Sequence, residues 1–398
     1  MLFMCAFVCF LAFVNGQQKE GDSCVSEYSY SAGVCTKRED CHSAKVDYEK
    51  SGIQPSWCTF STFGPALVCC RDGHSIVQRV TRKTFSDRPG WTWGLADTRR
   101  VSEKKCDEYT AGVKEVIQYI PLIPTPASLS VTTSKCDYDG IYLILGGQKA
   151  DLGEFPHMAA IGWATSSGYD FLCGGSLISP RFVLTAGHCI RSSGQENPVP
   201  SIVRLGDQNI NNEVNDGAEP VEVPIRKIIP HPDYKSPLKY NDIALLELST
   251  DVAFKSSIRP ACLWSKPAFT GFQQVVATGW GVSDTLTKKR SEELQKVSLS
   301  LVDSAECDRQ LRDYRNRNWN GTWSSQMCAG ELRGEKDTCQ GDSGSPIQVA
   351  SLNNQCIFHV VGITSFGVEC GQSRKPGVYT RVSSYIDWIE GVVWPGEI

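Results

Sequence analysis

Apolar and polar positions trade places in short runs along most of this chain. Runs rich in β-branched and aliphatic residues at 182–184, 202–205, 223–229, 242–248, 275–277, 297–302 and 358–363 are separated by Gly, Pro and Asn. Many short strands at such spacing predict an antiparallel sandwich or barrel. Two helices interrupt the pattern. Asp303, with Glu306 three residues on, predicts a helix opened by a capping box. Residues 384–393 place Ile386, Ile389, Val392 and Val393 on related faces of a second, terminal helix. Upstream, Val101, Tyr109, Val113, Val116 and Ile117 make a weakly helical pattern within 99–119, and the Pro-rich run 120–126 reads as an extended spacer. Residues 72–143 are therefore expected to be a linker that docks in places. At the start, the apolar run 2–14 is too short to span a bilayer, and small Gly16 follows it. It is expected to be a signal peptide, 1–16, that is cleaved.

Composition narrows the picture. With 398 residues the chain exceeds one typical domain, and a formal charge of −4 offers neither nucleic acid nor an anionic membrane a basic surface. The 18 cysteines matter more. Loss of the leader removes Cys5 and Cys9 and leaves an even number, suited to disulfides in an oxidising compartment. Six of the remainder, Cys24, Cys35, Cys41, Cys58, Cys69 and Cys70, fall within 22–71. So short a segment has too little core to fold unaided, and cross-links would restrict its unfolded state. It contains no CxxC pair, and His42 is the only nearby imidazole, so zinc is poorly served. Fifteen pairings of six cysteines stay open.

The candidate chemistry centres on 337–346, which reads Asp-Thr-Cys-Gln-Gly-Asp-Ser-Gly-Ser-Pro. A serine hydroxyl is a weak nucleophile and needs a base, donors for a developing oxyanion and a tight backbone to aim it. Gly341 and Gly344 flank Ser343 and permit such a bend, bringing the Gly341 and Ser343 N–H groups toward one spot. Two further fragments supply what the serine lacks. His188 ends an apolar strand beside Cys189, and Asp242 stands at the mouth of the apolar run Ile243-Ala244-Leu245-Leu246. Each fragment alone is an ordinary structural residue. In the order His, Asp, Ser they match the chymotrypsin class of triads.

On these motifs residues 144–398 resemble a trypsin-like serine protease domain, and the spacing that ends in Cys69-Cys70 resembles the clip domain of arthropod serine proteases. The resemblance implies an all-β fold: two packed antiparallel β-barrels with a C-terminal helix, preceded by a small disulfide-rich clip domain. It implies the pairs Cys24–Cys69, Cys35–Cys58 and Cys41–Cys70, then Cys173–Cys189, Cys307–Cys328, Cys339–Cys370 and Cys136–Cys262. Cys106 and Cys356 are then assigned to each other, because Val275 stands where relatives carry the usual partner of position 356. In mechanism, His188 would take the Ser343 proton, Asp242 would orient the ring, and the Gly341 and Ser343 amides would hold the oxyanion. Asp337 would close the floor of the S1 pocket between Gly367 and Gly377, selecting Arg or Lys. Ile144-Leu145-Gly146-Gly147 resembles the start of an activated protease, so cleavage after Leu143 would free an ammonium at Ile144 to pair with Asp342. An Asp-floored pocket accepts leucine poorly, which implies a separate upstream activator.

The clip unit, linker and leucine site together resemble the leucine-activated clip proteases of hemolymph. Expected partners are an upstream protease, another clip protease zymogen as substrate in Toll signalling or melanisation, and serpin-type inhibitors, all in an extracellular fluid. A non-catalytic binding cofactor and a digestive trypsin are the alternatives; the presence of Ser343 speaks against the first, and the clip unit and Leu143 against the second. No cofactor is required by this chemistry. A structural calcium at Asp207, Asn209 and Glu219 is one expectation. Asn320-Gly321-Thr322 is a glycosylation sequon.

Overall fold

The computed structural model describes residues 23–25, 32–37, 40–41, 43, 45, 57–59, 67–71, 97–119, 129–134, 147–269, 272–284, 289–330, 343–351, 354–367 and 375–397. At 23–25, 32–33, 57, 59, 71, 114–119, 129–134, 282–284 and 289 only the backbone is described. The chain divides into two compact units, 1–94 and 95–398.

In the first unit, strands Ser23–Val25 (β1), Ala32–Lys37 (β2), Trp57–Thr59 (β3) and Leu67–Arg71 (β4) form one antiparallel sheet in the order β1-β2-β4-β3. Side chains alternate across a strand, so the adjacent Cys69 and Cys70 face opposite sides of β4. Cys69 clusters with Cys35 and Cys58, while Cys70 clusters with Cys41 and Val68. The disulfides Cys35–Cys58 and Cys41–Cys70 lie one in each cluster, and Cys69 is also bridged. Sulfur thus supplies much of the core that a unit this size lacks. The pairing expected for Cys24 falls outside the described side chains.

The second unit begins upstream of the protease-like segment. Helix α1, Val101–Tyr109, is followed by a 3-10 turn, Ala111–Val113, and a hairpin of Lys114–Tyr119 (β5) and Leu129–Ser134 (β6). The Pro-rich run 120–126 lies outside the described residues. Helix α1 has no side-chain cap of its own. Its N-terminus is instead met by the buried Glu390 carboxylate, which accepts from Ser102 N at 2.9 Å and from Ser102 Oγ at 2.6 Å. An acidic group at a helix start satisfies free N–H donors and the local positive potential.

The first barrel is built from Met158–Thr165 (β8), Gly168–Ser179 (β9), Phe182–Thr185 (β10), Ile202–Leu205 (β11), Val221–Pro230 (β12) and Ala244–Leu248 (β13), after a short strand Gln148–Lys149 (β7). These six close in the order β10-β13-β12-β11-β8-β9. Ala159, Ile161, Leu177, Val183, Val203, Leu205, Leu246 and Leu248 fill its interior, all fully buried. Strands β8 and β9 escape the sequence pattern because Ala and Gly occupy positions where neighbours approach closely. A Cβ at Gly175 would stand 2.7 Å from Val183 Cγ1.

From Cys262–Leu263 (β14) and Gln274–Gly279 (β15), past a separate hairpin of Val282–Asp284 (β16) and Lys289–Arg290 (β17), the second barrel takes in Gln295–Val302 (β18), Gln326–Gly330 (β19), Pro346–Ser351 (β20), Asn354–Phe366 (β21) and Gly377–Arg381 (β22). The sheet runs β14-β21-β20-β15-β18-β19-β22, and β22 pairs back onto β21, closing a second ring of six. Between the barrels, Leu184, Ile243 and Leu245 of the first meet Val360 and Ile363 of the second, sealed by Ile386, Ile389 and Val393 of the terminal helix α3, Ile386–Val393. Helix α2, Ser304–Gln310, starts at Asp303, whose side chain accepts from Ala305 N at 2.8 Å. The expected capping box does not close: the Glu306 carboxylate is engaged by Arg309 and Gln310.

Two expected disulfides are corrected. Cys262 is joined to Cys106, with their Cα atoms 5.0 Å apart, in place of Cys136–Cys262 and Cys106–Cys356. The reason is the docking of α1 beside β14. Ser265 Oγ donates to Glu103 at 2.6 Å, and Asn354 Nδ2 donates to Val113 O at 3.0 Å. Cys106, Cys262 and Cys356 fall in one cluster with Val113 and Ile357, so spacing alone could not choose among them. Cys356 is itself bridged, and Cys136 lies outside the described residues. Cys173–Cys189 and Cys307–Cys328 are formed; Cys339 and Cys370 lie outside the description.

Candidate active site

Both barrels deliver groups to one point. Strand β10 of the first runs into a 3-10 turn, Gly187–Ile190, that carries His188, and Cys189 is tied to Cys173 of β9. Gly187 has a steric purpose: a Cβ there would lie 2.9 Å from the Tyr234 ring, so an alanine would require that ring to move. Before β13, Asn241 adopts the left-handed conformation, φ 53°, which a short polar side chain tolerates. The bend aims the following carboxylate back at the histidine.

Asp242 is 1% exposed and holds His188 at two atoms. Its Oδ1 accepts from His188 N at 2.8 Å, and its Oδ2 lies 2.9 Å from His188 Nδ1. The second barrel completes the shell. Ser365 Oγ of β21 donates to Asp242 Oδ2, and Thr380 Oγ1 of β22 donates to Asp242 O at 2.8 Å. Tyr385 Oη donates to Asn241 Oδ1 at 2.9 Å. Burial alone would raise the Asp242 carboxyl, but the His188 ring and the hydrogen bonds from His188 and Ser365 outweigh it, and the net direction is down. Fixed this way, Nδ1 is committed to the carboxylate and Nε2 is the nitrogen left for a proton acceptor's task.

Ser343 is held by its backbone between the two barrels. Its carbonyl accepts from Gly174 N of β9 at 2.9 Å. The next residue, Gly344, has φ 79° and donates to Thr364 O at 2.9 Å. A Cβ at 344 would collide with Thr185 Oγ1 and stand 3.1 Å from Cys189 Sγ. The residue after Ser343 therefore packs against the neighbour of His188 on one side and pairs with the neighbour of Ser365 on the other. Glycine is required there for both backbone and space.

Of the other residues singled out by sequence, Gly367 is exposed, and Gly377 lies on β22 opposite Ala329. Asp337, Gly341, Asp342, Leu143 and Ile144 lie outside the described residues. Asn320 is exposed, its N–H donating to Tyr240 Oη at 2.8 Å. Sequence reasoning missed Ser365, Thr380 and Tyr385. None of the three carried a local signal, since Ser365 follows Thr364 in a strand that also holds Asn354, Gln355 and His359.

A family model described as Trypsin matches residues 144–389. The chain is 36% identical over 382 residues to Serine protease snk of Drosophila melanogaster, covering 94% of this chain and 79% of that protein. It is 36% identical over 272 residues to Phenoloxidase-activating factor 3 of Holotrichia diomphalia (65% and 74%) and 32% identical over 312 residues to CLIP domain-containing serine protease B4 of Anopheles gambiae (75% and 83%). Two closed six-stranded barrels with a carboxylate-bound histidine where they meet are the architecture of a serine protease. The chain belongs to the trypsin family, among the clip-domain serine proteases of arthropods.

Proposed function

We propose that the chain is the zymogen of an extracellular endopeptidase that acts through Ser343, His188 and Asp242. The carrying observation is the doubly bonded His188–Asp242 pair, its carboxylate buried and supplied with donors from both barrels. His188 Nε2 takes the Ser343 proton as the hydroxyl attacks the scissile carbonyl; Asp242 holds the tautomer and stabilises the imidazolium. The oxyanion is received by the Gly341 and Ser343 amides. The acyl-enzyme is then hydrolysed by water activated at the same nitrogen. Asp337 at the pocket floor, between Gly367 and Gly377, selects Arg or Lys.

Cleavage after Leu143 frees Ile144 to pair with Asp342, and an enzyme specific for basic residues does not perform that cut on itself. The names of the relatives, among them Phenoloxidase-activating factor 3, support a place in a proteolytic relay in which this enzyme activates another protease zymogen in immunity or development. The disulfides within both units support secretion. Among the described residues no helix is long and apolar enough to cross a membrane.

A calcium ion in the loop after β11 fits part of the expected donor set. Asp207 is buried, and burial raises its carboxyl against the pull of Arg204, 3.3 Å away, with Asp216 adding repulsion. The Asp216 Oδ2 atom is buried without a partner. Glu219 fits less well, since its side chain is 88% exposed beside Lys255. We therefore assign the loop's cation to Asp207, with Asp216 rather than Glu219.

The test is direct. The full chain with Leu143→Arg, cleaved by trypsin, is expected to react with diisopropyl fluorophosphate and to hydrolyse fluorogenic peptides after Arg or Lys; Ser343→Ala abolishes both. Preference for Phe or Leu would reject the pocket assignment. Self-conversion of the wild-type zymogen would reject the need for a separate activator.

A further inference from the structure

One lysine near the shell around Asp242 has no counter-ion among the described residues. Lys239 lies three residues before Asp242. Its N–H donates to Asn318 O at 3.0 Å and its carbonyl accepts from Gln326 Nε2 at 2.8 Å, so its backbone is held from both sides. The ammonium stands 5.5 Å from the centroid of the Phe366 ring. Phe366 follows Ser365, the donor to Asp242, and meets Trp319 edge-on at 5.5 Å. The charge is thus carried to within one residue of the shell around Asp242.

Among the described residues Lys239 makes no ion pair, and neither does the exposed Arg317, which adjoins the Asn318 carbonyl that holds Lys239. Arg309 and Arg315 are neutralised by Glu306 and Asp308. Asp242 is likewise engaged, by His188. Lys239, laid over an aromatic face next to the donor to Asp242, and the neighbouring Arg317 put positive charge beside the described shell of the site.

We propose that Lys239 and Arg317 form an acid-selecting subsite, favouring protein substrates that carry Asp or Glu within a few residues of the scissile bond. This rests on the endopeptidase assignment above and names the substrate class of that site. A carboxylate arriving there gains a charge partner at a half-exposed edge, where screening by salt limits the effect.

The experiment uses the full chain with Leu143→Arg, activated by trypsin, and internally quenched peptides with a single Arg. Glu, Gln and Lys are placed in turn at each position flanking the Arg. Glu at one of these positions is expected to raise kcat/KM over Gln roughly three- to tenfold, through KM, with the ratio falling toward unity near 1 M salt. Lys239→Gln should lower the Glu/Gln ratio, Lys239→Gln with Arg317→Gln should bring it to about one, and Lys239→Glu should remove or reverse the preference. Lys227→Gln, on the exposed face of β12, should leave the ratio as it is. Equal rates for Glu and Gln at every position, or a ratio indifferent to Lys239→Glu, overturns the subsite while leaving an active enzyme. A protein that cleaves none of the peptides and ignores diisopropyl fluorophosphate overturns both assignments together.

Discussion

Lys296 and Glu154 form a deeply enclosed ion pair. The ammonium lies 2.7 Å from Glu154 Oε2 and 2.8 Å from Oε1, with side chains 8% and 0% exposed. Glu154 Oε2 also accepts from Asp151 N at 2.8 Å. Removing one partner strands a buried charge, so Lys296→Met should cost about 3–5 kcal/mol in urea unfolding, while Lys296→Met with Glu154→Leu should recover most of the loss. Gly187 makes a second case. Gly187→Ala should destabilise by about 1–3 kcal/mol, as small-to-large changes in packed sites do, and the loss should shrink when Tyr234→Ala is added. Neither effect was legible in the sequence. Glu154 and Lys296 are 142 residues apart, and the space at Gly187 is set by a ring from another loop.

At the scale of elements, the sequence showed the strands with dense β-branched character and hid those built on Ala and Gly, because periodicity registers side-chain bulk and not backbone closeness. It also understated α1. The helix has little apolar surface of its own, with only Val101 and Ser102 buried. Its place comes from Glu390 of α3, which meets Ser102 and also pairs with Arg100 at 3.2 Å, and from the bridge to Cys262. Glu390→Ala should leave the Ser102 donors unsatisfied, costing about 1–3 kcal/mol, and should speed amide exchange in 101–109 more than in either barrel. Peptide mapping without reduction should recover Cys106 linked to Cys262. Recovery of Cys262 linked to Cys136 would reject the docking of α1 beside β14.

For the whole molecule the clearest consequence is acid sensitivity. His157, 1% exposed, is pushed down to about 4 by burial, against an ordinary value of 6.5. The unfolded chain binds that proton as pH falls through 6.5, while the folded chain refuses it until about 4. Stability from this group is therefore complete above pH 6.5 and declines between there and 4, by on the order of 3 kcal/mol. Burial also pushes His359 down to about 4, in the same direction. The melting temperature should fall across this interval, before most carboxylates titrate, and His157→Phe should flatten the slope. The sequence by itself determined the kind of fold, the order His188, Asp242, Ser343 and the dependence on disulfides, because each is written in contiguous residues whose chemistry is local. Tertiary structure alone decided which cysteine holds Cys262, which hydroxyls surround Asp242 and which aromatic ring Lys239 lies over. These are contacts between residues far apart in the chain, chosen by how two barrels and a helix pack, and no local pattern encodes that choice.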